Sequence, residues 1–399
     1  MKWLQATLYL VLGKLLSKFG RYNATIVVCK RAAALNPESV AAQCWIGWAH
    51  QRLNNYSAAV PFFEGAIQLR PNDAYAHAQM ASSYTQLNRD RDAIAEFVRA
   101  FRMNPKYGNR REYLLALGGA YARLQLMNES VAAYEKASRL FPKHPESVYW
   151  YGWALSTCNR FAESEPVLRR AIALSPKNAD AHYNLGVALG ALGKWEEAAV
   201  EYNKTIALDS TRADAYGGLG VAHKELGQFE TARDYLKEAI RLSANHPDAY
   251  VQIGAVYIEL DRPHEALETG KKLRQLLPGE EEGYWLMISG YTRLGLYNEA
   301  VDLCEELLRL HPESLTAKEG LAYIYLKSGK FVDAIPIYKS AIESQPNATY
   351  LHAQLAEACL GSGNVQAASE QQKLLLDLDK SVAEQVKALL RGDVKTLLT

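Results

Sequence analysis

Residues 179–212 read ADAHYNLGVALGALGKWEEAAVEYNKTIALDSTR, and the reading of this stretch decides the fold. Leu185, Gly186 and Leu189 recur at helical spacing, Gly193-Lys194 interrupts as glycine does at a helix end, and Ala198 and Tyr202 fall on one face of a second helix. Moved by 34 residues, the chain lies on itself eleven times. Gly47, Ala66 and Pro71 return as Ala81, Ala100 and Pro105, then as Gly118, Ala137 and Pro142, then as Gly152, Ala171 and Pro176. A fixed period of this size marks a solenoid of stacked helix pairs, whose product is a long surface with no natural place for a catalytic centre.

With Pro as the thirty-second position, the repeats occupy 6–39, 40–73, 74–107, 111–144, 145–178, 179–212, 213–246, 247–280, 281–314, 315–348 and 349–382, with Gly108-Asn109-Arg110 inserted once. The turn glycine recurs in Gly227-Gln228, Gly295-Leu296, Gly329-Lys330 and Gly363-Asn364. A small residue at the eighth position lets paired helices approach, and an aromatic at the eleventh or twenty-fourth fills the space between pairs. Pro61, Pro166 and Pro336 share one register position early in the second helix, where the opening N–H groups lack internal partners and a missing one costs little. After residue 380 the period stops. Ser381-Val382-Ala383-Glu384 has the form of a capping box before Val386, Leu389 and Leu390, so 383–399 is expected to hold a capping helix and tail.

The repeat argues for one elongated body, and the composition, 49% apolar and 22% charged with a formal net charge of +1, is normal for a soluble fold with a continuous core. That balance conceals a gradient, since residues 1–110 hold 14 Lys+Arg against 6 Asp+Glu and the remainder 31 against 38. Cys29, Cys44, Cys158, Cys304 and Cys359 form no CxxC pair and sit where small apolar residues belong, so buried reduced thiols in a reducing, cytoplasmic compartment are expected. The opening MKWLQATLYLVLGKLLSKFG has a leading Lys and an apolar stretch, but Gln5 and Thr7 interrupt it and no A-x-A follows. Gly13 and Pro37 fit the repeat register, so these residues are expected to form the first repeat. The alternatives are a membrane-surface helix, or a signal or anchor that would make the location membrane-associated or periplasmic.

The pattern resembles the tetratricopeptide repeat, W-x2-L-G-x2-Y, then A-x3-F, then P. Tyr84, Ala93, Phe97, Ala100 and Pro105 match it, as do Tyr325, Ala334, Tyr338, Ala341 and Pro346. Ser210 and Ala244 replace the Pro, Ile288 replaces the small residue, and Gly270 and Gln372 replace the aromatic. The resemblance implies an all-α, right-handed superhelical α-solenoid over 6–382, whose first helices line a concave groove that scaffolds or binds peptides without a cofactor. The Lys/Asn clamp of chaperone-binding members is missing, because the fifth and ninth positions read Cys44/Trp48, Tyr149/Trp153 and Tyr183/Val187. The Asn ladder of the O-GlcNAc transferase superhelix is missing too, with only Asn184 in that row.

By the same resemblance, positions two, five, six, nine, twelve and thirteen face the groove. They hold Trp45 and Trp48, Trp150 and Trp153, Tyr75, Tyr149, Tyr183 and Trp285, with Arg52 and Arg123 at position thirteen placed to fix a ligand's carboxylate or backbone. Packing between helices and self-association are the other uses open to the tryptophan pairs. The acidic residues at position two (Glu112, Glu146, Asp180, Asp214, Asp248 and Glu282) look like a groove stripe but are read as carboxylates favoured by the dipole at helix N-termini. No His or Cys cluster has metal-ligand spacing, and no phosphate loop, nucleophile elbow or basic-aromatic face occurs. The expected function is a non-enzymatic adaptor holding a peptide or partner protein, with no metal and no nucleic acid. The alternatives are a self-assembling (homo-oligomeric) or membrane-attached scaffold, and the substrate-recruiting arm of an enzyme on another chain.

Overall fold

The computed structural model describes residues 2–393. It divides into two compact units, Met1–Leu208 and Asp209–Thr399. The first unit contains α1 (Lys2–Lys18), α2 (Tyr22–Leu35), α3 (Val40–Arg52), α4 (Tyr56–Leu69), α5 (Ala74–Gln86), α6 (Asp90–Met103), α7 (Arg111–Arg123), α8 (Met127–Leu140), α9 (Pro145–Thr157), α10 (Phe161–Leu174), α11 (Ala179–Ala191) and α12 (Trp195–Leu208). The second contains α13 (Ala213–Glu225), α14 (Phe229–Leu242), α15 (Pro247–Glu259), α16 (Pro263–Leu276), α17 (Glu281–Arg293), α18 (Tyr297–Leu310), α19 (Leu315–Lys327), α20 (Phe331–Ser344), α21 (Thr349–Gly361), α22 (Val365–Leu378) and α23 (Lys380–Arg391). No strand occurs among the described residues, and both units are α-solenoids. Within each, consecutive helices pack on one another and the first helix of each pair also touches the next first helix.

Helix starts and stops follow local chemistry. Ser39, Asp73 and Asn178 cap α3, α5 and α11 by accepting the N–H of Ala42, Ala76 and Ala181 at 3.2, 3.0 and 3.1 Å. The turn inside every pair places its fifteenth repeat position at positive φ. Glycine supplies it at Gly20, Gly193, Gly227, Gly295, Gly329 and Gly363, but Asn54, Asn88, Gln125, Asn159 and Asp261 adopt it at φ 52–60°. At the C-terminal end the cap is Asp379, not Ser381: its carboxylate accepts from the N–H groups of Ser381 and Val382, so α23 begins three residues before the expected 383. Residues 394–399 of the expected tail lie outside the described ones.

The three prolines lie deeper than expected. Pro61, Pro166 and Pro336 are each the sixth residue of α4, α10 and α20, past the turn whose N–H groups lack partners. They are tolerated because all three are exposed, as are Ser57, Ala162 and Val332, whose carbonyls water can satisfy.

The core repeats one device. In most repeats the eighth position is small because the twenty-fourth residue of the same repeat lies against it. A Cβ on Gly47, Gly118, Gly152, Gly186 or Gly220 would stand 2.6–2.8 Å from the side chain of Phe63, Tyr134, Leu168, Tyr202 or Leu236. Where the eighth residue is Ile288, the twenty-fourth is the small Cys304, so the volume is exchanged, not lost. Where the twenty-fourth is Gly270, Leu286 of the following repeat covers Gly254 instead, and Gly270, Gly283 and Gly290 let α16 and α17 approach closely. The five cysteines are free, and Cys158 alone among them is only half-buried. Burial pushes the Cys29 thiol up to about 11 and Cys304 up to about 12, which keeps both protonated at neutral pH.

Tyr338 fills the twenty-fourth position of its repeat and is fully buried, yet its hydroxyl has no hydrogen-bond partner among the described residues. Phe63 and Phe97 fill the same position without a hydroxyl. Tyr338→Phe is therefore expected to raise stability by about 1 kcal/mol, read as a higher urea midpoint at unchanged slope.

A second device ties repeats together. His77 and His182 sit at the fourth position of their repeats, and each directs Nδ1 to a carboxylate nineteen residues on. For His182 and Glu201 the distance is 2.6 Å, and His77 meets Glu96 the same way. Each Nε2 donates to the carbonyl closing the previous repeat, Pro71 at 3.0 Å and Pro176 at 3.1 Å. A carbonyl only accepts, so Nε2 carries a proton in both. His352 repeats the arrangement with Gln371 and Pro346.

Candidate functional site

In the second unit four first helices, α15, α17, α19 and α21, line one open cavity of about 520 Å3. Its wall holds Glu259, Trp285, Ser289, Thr292, Arg293, Thr316, Glu319, Gly320, Tyr323, Tyr350 and Gln354. With Ile258 and Ile288 behind them, these fall at positions two, five, six, nine, twelve and thirteen of successive repeats. Trp285 and Tyr350 are 39% and 45% exposed. Tyr350 donates its hydroxyl proton to Glu319 Oε1 at 2.6 Å. Burial raises the Glu319 carboxyl above its usual range, and the Tyr350 hydrogen bond opposes that rise. Arg293 turns its guanidinium to Asp261 at 3.3 Å, and the Lys327 ammonium stands 5.2 Å from the Tyr323 ring centre. Glu259 is exposed and has no ion pair among the described residues.

The other residues singled out by sequence lie in the first unit, and most already have structural neighbours. Trp45 and Trp48 meet edge to face at 5.3 Å and 81°, and Trp150 and Trp153 repeat the geometry at 5.4 Å and 85°. In each pair one ring is committed to the preceding repeat. Trp48 meets Tyr22 edge-on at 5.7 Å, and Trp150 stacks on Tyr134 at 5.9 Å and 17°. All four remain half-buried. Arg52 lies over the rings of Tyr22 and Trp48 at 5.6 and 5.9 Å. Arg123 is bound to Asp90 through two hydrogen bonds of 2.6 and 2.9 Å. Tyr149 is buried and accepts from the Asn184 amide at 3.3 Å, and Tyr183 tilts against Tyr202 at 5.9 Å. Tyr75 is half-buried, and with Trp45, Cys44, Glu38, Arg70 and Asp73 it lines a separate open cavity of about 560 Å3.

Sequence reasoning thus reaches Trp285 but passes over Tyr323, Tyr350 and Glu319 in the same cavity. The signal was present: they occupy the ninth, second and fifth positions, the ones that select Trp153, Tyr75 and Tyr149.

Tetratricopeptide repeat models match residues 10–74, 79–145, 152–217 and 289–349, and related ones match 213–246 and 325–391. The chain belongs to the tetratricopeptide repeat family. Members of this repeat family typically act as interaction scaffolds for proteins or peptides, and membership supports that general role for this tetratricopeptide repeat protein. Among solved structures it is similar to a tetratricopeptide repeat protein from Parabacteroides merdae, at 18% identity over 62% of this chain and 98% of that one, with a TM-score of 0.55. It is also similar to YrrB, described as a TPR protein with an unusual peptide-binding site, at 24% identity, 47% and 95% coverage and a TM-score of 0.42. Yeast Tom70 aligns at 14% identity over 97% and 95% of the two chains, with a TM-score of 0.45. No curated protein matches the sequence.

Proposed function

We propose that this tetratricopeptide repeat protein holds an extended protein segment along the first helices of its second unit, and that the cavity around Trp285 takes a basic side chain of that segment. The observation that carries the proposal is the cavity's content: two exposed rings, Trp285 and Tyr350, stand beside the carboxylates of Glu319 and Glu259, while the lining cation Arg293 is already paired. A lysine or arginine entering there finds ring faces for cation–π contact and a half-buried carboxylate for a charge-assisted hydrogen bond. Ser289, Thr316 and Gln354 supply polar groups for the segment's backbone. Large rigid rings in a concave wall are also what binding hot spots are built from.

Selection of peptides from a random displayed library on the full chain tests this. Enriched peptides are expected to share a Lys or Arg, and Trp285→Ala and Tyr350→Ala should each weaken them by about tenfold or more. Peptides that lack a basic position, or that bind both variants as well as the wild type, would overturn the assignment.

A further inference from the structure

Helix α1 is apolar on two opposite faces. Ala6, Gly13 and Ser17 are buried, and Gly13 packs so closely on α2 that a Cβ there would collide with the Cys29 sulfur. The other face has nothing against it among the described residues. Leu4, Leu8, Val11, Leu12 and Leu15 follow one another at i, i+4, i+7, i+8 and i+11, with Phe19 next in the series just past the helix end. These six side chains are 40–73% exposed. The stripe is a continuous apolar surface about 25 Å long, given the 17 residues of α1. Soluble surfaces rarely leave such a patch uncovered.

Charge identifies what covers it. Residues 1–37 contain Lys2, Lys14, Lys18, Arg21, Lys30 and Arg31 and not one Asp or Glu; the first carboxylate is Glu38. None of these six cations has an ion pair among the described residues. On the helix Lys14 and Lys18 lie along one edge of the apolar stripe, where long side chains can reach past a buried rim to charged groups. Two copies of the chain meeting on this face would bring two wholly cationic segments together. An anionic lipid surface meets the same segment with opposite charge. No helix among the described residues is long and apolar enough to cross a membrane, so the geometry is that of a helix lying in the interface plane.

We propose that α1 docks this protein on a lipid surface rich in anionic headgroups, with Leu4, Leu8, Leu15 and Phe19 entering the acyl boundary and Lys14 and Lys18 among the phosphates. The partition is then both apolar and electrostatic, and salt weakens only its electrostatic part.

Cosedimentation of the full chain with vesicles tests the proposal. Binding to phosphatidylcholine vesicles containing about 30% phosphatidylserine should exceed binding to pure phosphatidylcholine by about tenfold, since each cation near the surface adds roughly another few-fold in affinity. Leu8→Glu/Leu15→Glu should abolish binding without changing the thermal melt, because both side chains are exposed. Lys14→Glu/Lys18→Glu should remove the preference for anionic vesicles, and it reads out the proposal even if the leucine variant misfolds. Equal binding to both vesicle types, no binding to either, or unaltered binding by both variants would overturn it. So would a dimer in lipid-free buffer that Leu8→Glu/Leu15→Glu converts to a monomer, because the face would then belong to a second copy.

Discussion

Gly186→Ile is expected to destabilise the first unit by about 3 kcal/mol, at the upper end of what overpacking a core costs. A Cβ alone at this position would stand 2.8 Å from the Tyr202 ring, and a branched side chain needs room that only a moved helix can give. The small gain in helix propensity from replacing a glycine offsets a few tenths of a kcal/mol at most. Tyr202→Cys alone should also destabilise, through the cavity it opens. The informative variant is the double one, because Ile at the eighth position with Cys at the twenty-fourth is the pair this chain uses at Ile288 and Cys304. Gly186→Ile/Tyr202→Cys is expected to be more stable than the sum of the single effects by about 2 kcal/mol, measured as a coupling energy in chemical denaturation. Additive effects would show that the two positions do not share a volume.

Arg123→Ala is expected to cost about 2 kcal/mol of stability. Its guanidinium holds both oxygens of Asp90, which is 7% exposed, and removal leaves a carboxylate buried without its partner. The cost falls below that of a fully buried pair because Arg123 itself is 43% exposed and water screens the interaction. Asp90→Ala should cost less, since the arginine left behind can turn to solvent, and the double variant should resemble Asp90→Ala. This asymmetry separates a structural arginine from one reserved for a ligand. Were Arg123 reserved for a ligand carboxylate, Arg123→Ala would leave the melt unchanged and reduce only binding.

The helical solenoid is legible in the sequence because most repeats restate the same steric requirement, a small residue facing a large one across two helices. The turns are legible only where glycine marks them. Asn54, Asn88, Gln125, Asn159 and Asp261 make the same left-handed turn, and a side-chain amide or carboxylate at one position carries too little signal alone. The histidine ties are missed for a different reason. His182 and Glu201 are nineteen residues apart and meet only because the repeat folds back on itself, so neither helical nor metal-ligand spacing reveals them. The cavity is legible in register but not in emphasis. Tryptophan draws attention to Trp45, Trp48, Trp150 and Trp153, but one ring of each pair packs on Tyr22 or Tyr134. Trp285 stays exposed because its neighbours at the eighth and sixth positions, Ile288 and Leu286, take the interior in its place.

The filling of Gly254 by Leu286 sets how this chain could be cut and rejoined. A segment such as 179–212 carries both halves of its own steric pair, Gly186 and Tyr202, and is a cassette that can be duplicated or transplanted whole. The segment 247–280 carries two glycines at those positions and borrows its filling from the next one. A clean 34-residue exchange that separated it from 281–314 would leave a hole at Gly254.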